Sequence, residues 1–442
     1  MYISQCLITK NEEVNIEYCL SHLKSVVDEQ IVVDTGSTDR TVEIAKELGA
    51  KVFYFDWIDD FSAARNFALD KAKGDWIIFL DCDEYFSEES VLLIKRCISK
   101  YGNKKGIDAL TCEFIDIDVT KNRILSSVKN ISPRIFKRKT YLRYRKRIHE
   151  ILQNIKKNPI NPRTADVSQT LKIFHTGYSE DAKKEKSKDE RNLKLLLKEI
   201  EENPNDIRWI LYYGKQLNSS GRKEESLEYA FKAYELMDNN VFYDYYYTIY
   251  SLILINMVSL RKPYDEIKEI FDEAISKYPH YPDYYMSIGT SALIEERINE
   301  AINFLEKCIY YCEKYTDDVE SLALGSIAKV YINLLAAYVK VDNKQKIVTT
   351  SIALLNTYKY DLTTLTILLK TFLTQEKEED IIIFLKKIYD YNKSKDKMFL
   401  FKACEIVKND KLADYYMSIL NEEELKAIKS SEDIEDNIFN EE

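Results

Sequence analysis

The chain has 442 residues, 45% hydrophobic and 31% charged, with a net charge of −10. That length supports two or three domains with sizeable cores, and the negative charge argues against general nucleic-acid binding. No stretch approaches the 18 or so consecutive apolar residues of a membrane span. The N-terminus lacks a cationic leader, and the eight scattered cysteines form no C-x-x-C pair; a cytoplasmic protein with reduced, buried thiols is the expectation.

In chain order, strand patterns at 2–9, 30–34, 51–55 and 76–81 alternate with helical patterns at 13–27, 38–48, 61–73 and 88–100. A βαβαβαβα series predicts an α/β domain, a Rossmann-like, mostly parallel sheet with helices on both faces. After Gly106 the pattern turns strand-rich, at 109–117, 134–137 and 171–175. The predicted domain runs over 1–180. Nine Lys or Arg residues and no acid lie between Lys129 and Arg147; they line a phosphate or acceptor site, or form a solvated hairpin.

From about 183 the pattern is helical, with a period of roughly 34–40 residues that calls for a repeat reading. One unit opens at Asn203-Pro204 and carries Trp209, Tyr213-Gly214, Gly221, Ala230 and Ala233; another opens at Tyr278-Pro279 and carries Tyr285, Gly289, Ala292, Ala301 and Phe304. Small residues at helix crossings and prolines between units are marks of tetratricopeptide repeats. An all-α, tetratricopeptide-like domain is expected over 181–430; a generic helical bundle is the alternative. Most of the 33 tyrosines are expected in interhelix packing, rings buried and hydroxyls reaching water. The acidic tail, 431–442, lacks periodicity.

The chemistry gathers where strands end. Trp76-Ile77-Ile78-Phe79-Leu80 runs into Asp81-Cys82-Asp83-Glu84. Ligands bind at that edge of an open α/β sheet, and closely spaced carboxylates there need a positive partner, most simply a divalent metal. Cys82 between them faces the core. Asp34-Thr35-Gly36-Ser37-Thr38-Asp39 follows another strand: Ser37 or Thr38 can cap a helix, but capping leaves Asp34 unexplained, and Asp34 suits hydrogen bonds from a base or ribose. Asn11 and Glu12 close the first strand. Ser62 can cap the third helix, and Arg65 in its first turns can reach a phosphate or form an ion pair. Four loops thus supply polar groups to one sheet edge.

Thr9-Lys10-Asn11-Glu12-Glu13, the Asp34–Asp39 segment, Phe61-Ser62-x-x-Arg65-Asn66 and Asp81-Cys82-Asp83-Glu84 together resemble the successive signatures of family 2 glycosyltransferases with the GT-A fold, over about residues 1–180. The resemblance implies a UDP-sugar donor and Mn²⁺ or Mg²⁺ on its diphosphate. It implies a donor site of Asn11, Glu12, Asp34, Ser37, Arg65, Asn66, Asp81 and Cys82, with Asp34 on uracil. Asp81, Asp83 and His175, from Phe174-His175-Thr176-Gly177-Tyr178, become the metal ligands.

Inverting transfer needs a general base, for which Glu150 or His149, in Arg147-Ile148-His149-Glu150, is the candidate; for Glu150 the alternative is an ion pair with Arg145 or Arg147. The two-part layout is similar to bacterial peptide and protein glycosyltransferases, including those that modify Cys or Ser of ribosomally made bacteriocins. It implies a peptide or protein acceptor, modified at Ser/Thr or Cys and held by the helical repeats; long helical arrays also supply surfaces for a homodimer. One rival changes the acceptor to a cell-surface glycan or a lipid-linked sugar. Another makes the chain an inactive tetratricopeptide scaffold, against which the intact Asp81/Asp83 pair speaks.

Overall fold

A computed structural model of the chain describes all residues except 103, 105, 119–122, 130–132, 157–160, 177–185, 239–244, 317–320 and 426–442, and omits the side chains of 118, 123–129 and 186–187. Gly177 and Tyr178 of the late motif, Tyr243 and the acidic tail thus lie outside the described residues.

The chain falls into two units, Met1–Gln216 and Leu217–Glu442. The first contains β1 (Ile3–Thr9), α1 (Ile16–Ser21), β2 (Glu29–Asp34), α2 (Thr41–Glu47), β3 (Lys51–Tyr54), α3 (Phe61–Lys71), β4 (Trp76–Phe79), β5 (Glu84–Phe86), α4 (Glu88–Gly102), β6 (Ala109–Thr111), β7 (Glu113–Asp118), β8 (Arg123–Lys129), β9 (Ile135–Lys137), β10 (Leu142–Arg145), β11 (Ile151–Asn154), β12 (Thr164–Asp166) and β13 (Lys172–His175). It also takes in α5 (Lys186–Glu202) and most of α6 (Ile207–Ser219), so the unit is longer than its sheet.

The main sheet has the order β12-β6-β9-β4-β1-β2-β3. β1 pairs in parallel with both β2 and β4, while β9 runs antiparallel between β4 and β6. The βαβ series and the mixed second part are therefore both present, in a sheet resembling the GT-A arrangement. Alternation places Ile78 and Leu80 in one core and Ile77 and Phe79 in the other, which is why β4 reads as an unbroken apolar run. A second sheet, β5-β13-β7-β8, stands beside the carboxyl end of β4. Its β5 and the short strands β10 to β12 are elements that the sequence pattern leaves unmarked.

Two helix starts differ from the periodicity where loop-to-loop hydrogen bonds intervene. The first helix is only Ile16–Ser21, against an expected 13–27, because residues 10–13 are held in a loop by backbone and side-chain bonds to 37–41. Neither Ser37 nor Thr38 caps α2; Asp39 accepts the Thr41 amide at 3.0 Å. Asp60, not Ser62, caps α3, accepting the Ala63 amide at 2.9 Å.

The second unit is helical: α7 (Lys223–Glu235), α8 (Tyr245–Ser259), α9 (Tyr264–Lys277), α10 (Pro282–Ile294), α11 (Ile298–Lys314), α12 (Leu322–Gly325), α13 (Ile327–Lys340), α14 (Lys344–Thr357), α15 (Leu362–Phe372), α16 (Glu378–Leu385), α17 (Ser394–Val407) and α18 (Asp410–Ser418). Sequential helices pack in pairs through the stretches whose repeat pattern is degenerate. The tyrosines do pack between helices, but many hydroxyls have protein partners rather than water: Tyr234 and Tyr250 both donate to Glu273 at 2.6 Å, and Tyr338 to Glu306 at 2.7 Å. Among the described residues no helix is long and apolar enough to cross a membrane.

Candidate active site

The site is built where β1, β2 and β4 end. β4 stops at Phe79, and the chain turns so that the Glu84 amide donates to the Asp81 carbonyl at 3.1 Å. The turn sends Glu84 into β5 and leaves Asp81 and Asp83 at the edge.

Asp81 is not left waiting for a metal. Arg65, buried on α3, donates from Nη2 to both its oxygens, at 2.8 and 3.0 Å, and from Nε to Glu150 Oε1 at 2.5 Å. The guanidinium lies over the rings of Phe79 and Tyr144, 4.8 and 5.4 Å from their centres, so its charge is held in low dielectric, and it is paired with both Asp81 and Glu150. Its Nη1 is buried with no hydrogen-bond partner among the described residues. Arg134 grips Glu84 through both Nε, at 2.8 Å, and Nη2, and lies 3.7 Å from Asp81. Burial opposes the charge on Asp81, yet the two guanidiniums hold its pKa below the ordinary value. The requirement for a cation at this strand end is thus met at Asp81 by arginine.

Asp83 differs. Its Oδ2 lies 3.3 Å from His175 Nε2, and His175 Nδ1 lies 2.8 Å from Asp116 Oδ1. Sheet register produces this: at the end of β13, His175 stands opposite Glu84 of β5 and Asp116 of β7. Thr176, next in the chain, donates to the Asp83 carbonyl at 3.0 Å. Burial disfavours a charged imidazole, but Asp116 and Asp83 push its pKa up to about 10.

Among the described residues no three His, Cys, Asp or Glu side chains converge as a metal cage. Mg²⁺ and Mn²⁺ sites that take phosphate oxygens and water need only one or two protein ligands. Asp83 and His175 fit such an ion, which would replace the imidazolium proton between them. Asp116 on Nδ1 is the outer carboxylate that fixes ring and tautomer for a histidine ligand. Both oxygens of the third expected ligand, Asp81, accept from Arg65.

The other expected residues divide. Asp34 is buried and accepts amides from Gly36 and Ser37 at 3.1 Å, with Gly36 at φ +106°, where a side chain would be strained. Asn11 closes the same rim: its Oδ1 accepts the Thr38 amide at 2.8 Å and its own amide donates to Ser37 Oγ at 2.9 Å. Glu12 donates its amide to Thr41 Oγ1 at 2.7 Å and accepts from Asn15 at 2.8 Å; burial and the charges of Asp83 and Asp81 raise its pKa, offset in part by Asn15 and Lys188. Asn66 faces elsewhere, clamping β10 through both the amide and the carbonyl of Tyr144 at 2.9 Å. Cys82 is buried with Leu7, Ile16 and Val32; its thiol faces the core. Glu150 pairs with Arg65, not with Arg145 or Arg147, and no partner among the described residues bonds its Oε2. His149 is exposed, its ring tilted 34° against that of Tyr212 with centroids 4.5 Å apart.

The basic run disperses. Arg138 donates to the Gly74 carbonyl, Arg143 pairs with Asp70 and Arg147 with Glu202; Arg134 is the member that enters the site. Sequence reasoning did not single out Arg134 or Asp116. A carboxylate inside the apolar alternation Phe114-Ile115-Asp116-Ile117 was the available signal for the second.

Residues 4–166 match the model of glycosyl transferase family 2. The chain thus carries a family 2 glycosyltransferase domain, followed by a helical region, and is a glycosyltransferase. It is 26% identical over 313 residues to the SPbeta prophage-derived glycosyltransferase SunS of Bacillus subtilis, covering 69% of this chain and 70% of SunS. It is 32% identical over 208 residues to a TPR repeat-containing protein of Synechococcus elongatus, covering 46% of this chain and 49% of that one. Glucosyl-3-phosphoglycerate synthase from Mycobacterium tuberculosis, solved with Mn²⁺, UDP and glucosyl-3-phosphoglycerate, is 27% identical over 26% of this chain and 44% of its own, with a TM-score of 0.23. The chain spans less than half of these last two proteins.

Proposed function

We propose that the chain transfers a hexose or N-acetylhexosamine, with inversion, from a UDP-sugar to a Ser/Thr or Cys side chain of a peptide or protein, in a reaction that depends on Mn²⁺ or Mg²⁺. The observation that carries the reading is the Asp83–His175–Asp116 line at the end of β4, within the family 2 domain. Asp83 and His175 would hold the metal, with Asp116 fixing the ring. When bound, the ion supplies positive charge to the departing diphosphate.

The chain's own residues supply the rest. Asp34, Asn11 and Ser37 form a preorganised rim for the nucleoside, since their loop is already closed by hydrogen bonds. Arg65 ties Asp81 to Glu150, setting the donor edge and the candidate base on one rigid guanidinium. Glu150 Oε2 can take the acceptor proton; His149 is the second candidate for that role. A helical array suits an extended peptide, and the resemblance to bacterial peptide glycosyltransferases favours that acceptor.

Release of UDP from a panel of common UDP-sugars, with Mn²⁺ and with EDTA, tests the donor half. Metal-dependent release is expected, and its absence with every sugar would overturn the reading for those donors. Mass spectrometry of candidate peptides co-expressed with the enzyme tests the acceptor half. Hexose or N-acetylhexosamine adducts on Ser, Thr or Cys are expected; transfer to lipid-linked sugars with none to peptides would overturn it.

A further inference from the structure

Glu150 sits at the end of a loop, 146–150, that joins β10 to β11. The loop is short and conformationally costly: Lys146 and His149 have φ of +83° and +52°, unusual for residues with side chains. Such a loop keeps one shape only if its neighbours impose it.

Two sides impose it. From α3, Ser62 Oγ donates to the Lys146 carbonyl at 2.5 Å and the Phe61 amide donates to the Arg147 carbonyl at 2.9 Å. The other side is α5 and α6, the helices that follow the sheets. Glu199 on α5, a buried carboxylate, accepts the Arg147 amide on Oε1 at 2.9 Å, and its Oε2 lies 3.9 Å from Lys146 Nζ. That ammonium lies 4.9 Å from the ring of Trp209 on α6, where the Tyr212 ring lies against that of His149.

We infer that Glu199 is a positioning residue for the reaction: from the first helix after the sheets it fixes the loop that aims Glu150. The inference rests on the reading of Glu150 as the base. It makes α5 part of the catalytic apparatus, and a cut near residue 180 would remove this support along with any acceptor surface.

The test uses the full chain with Glu199→Gln, Glu199→Ala and Glu150→Gln. Hydrogen exchange at the Arg147 amide reports the hold directly, and kcat and KM for donor turnover report its consequence. Glutamine keeps an acceptor oxygen, so Glu199→Gln is expected to hold exchange and kcat within about threefold of the parent. In Glu199→Ala, Arg147 exchange is expected to rise tenfold or more and kcat to fall about tenfold at unchanged donor KM. Unchanged exchange, unchanged kcat, or equal losses in both variants would overturn the inference. If Glu150→Gln keeps full kcat, the base reading fails, and with it the catalytic role of Glu199, while exchange still shows whether the loop is held. Should Glu199→Ala not fold, Glu199→Asp, which withdraws the oxygen by one methylene, is expected to give the same pattern at smaller size.

Discussion

Both units bury carboxylates, and the contrast between them separates structure from chemistry. In the helical unit, Asp283 is 1% exposed and is surrounded by donors: Ser251 Oγ at 2.9 Å, Ser321 Oγ at 2.6 Å, and the amides of Leu322 and Ala323 at 3.1 and 2.9 Å. Asp396 is likewise enclosed by Lys359, Tyr360 and the Asp390 amide. At the sheet edge, Glu84, Arg134, Asp81, Arg65 and Glu150 form an alternating chain of charge that is just as well paired. There, however, Asp81 and Asp83 keep 33% and 29% of their side chains open. A buried carboxylate is therefore no sign of a site. What marks one is a satisfied network that ends in a partly open ligand.

The largest expected effect tests that distinction. Asp83→Ala should lower transfer by two orders of magnitude or more, with helical circular dichroism unchanged. Full activity would make Asp83 another satisfied surface carboxylate and remove the metal assignment. Asp283→Ala should behave in the opposite way. It strands two hydroxyls and two amides, so about 3 kcal/mol of stability should be lost in denaturant titration, while UDP-sugar turnover per folded molecule stays at the parent value. If turnover falls with stability unchanged, the two classes of carboxylate are not distinct.

How much was legible follows the range of the contacts. Asp81, Asp83 and Asp34 could be read because a strand, its end and the next loop are consecutive in sequence. His175 could be read only through a resemblance. Its partner Asp116 is 59 residues away, and the pairing exists because β13 lies between β5 and β7 in a second sheet that no local pattern announces. Arg134 was hidden in a basic run, several of whose other described members serve a carbonyl, rings and acids away from the site. Glu150 was weighed against the arginines nearest in sequence, while its partner is Arg65, 85 residues away. Helix limits went wrong where hydrogen bonds between two loops, 11–13 and 37–41, withhold residues from the helices that the apolar pattern would start there.

Asn66 sharpens the same contrast within one helix. Arg65 and Asn66 are adjacent on α3, and both were expected at the nucleotide; the structure directs only Arg65 to the carboxylates. Asn66→Ala removes two hydrogen bonds to Tyr144 and should cost about 2 kcal/mol of stability, with donor KM within about twofold of the parent. A donor KM raised tenfold with stability unchanged would return Asn66 to the donor site.

The smallest effect concerns a repeat position that could be read from sequence. Gly289 was singled out as a small residue at a helix crossing, and a Cβ there would lie 2.7 Å from Leu305 Cγ and 3.3 Å from the Leu305 amide nitrogen on α11. The side-chain atoms can give by rotation, but the backbone contact is tight, so α10 and α11 must separate slightly. Gly289→Ala also gains helix propensity of up to about 1 kcal/mol, against an overpacking cost of about 1–3 kcal/mol. A net loss of about 1 kcal/mol in denaturant titration is expected, with donor turnover unchanged. A gain in stability would mean that the close approach of α10 and α11 can relax and does not require glycine. The sign therefore decides whether the repeat signature at Gly289 records a steric requirement.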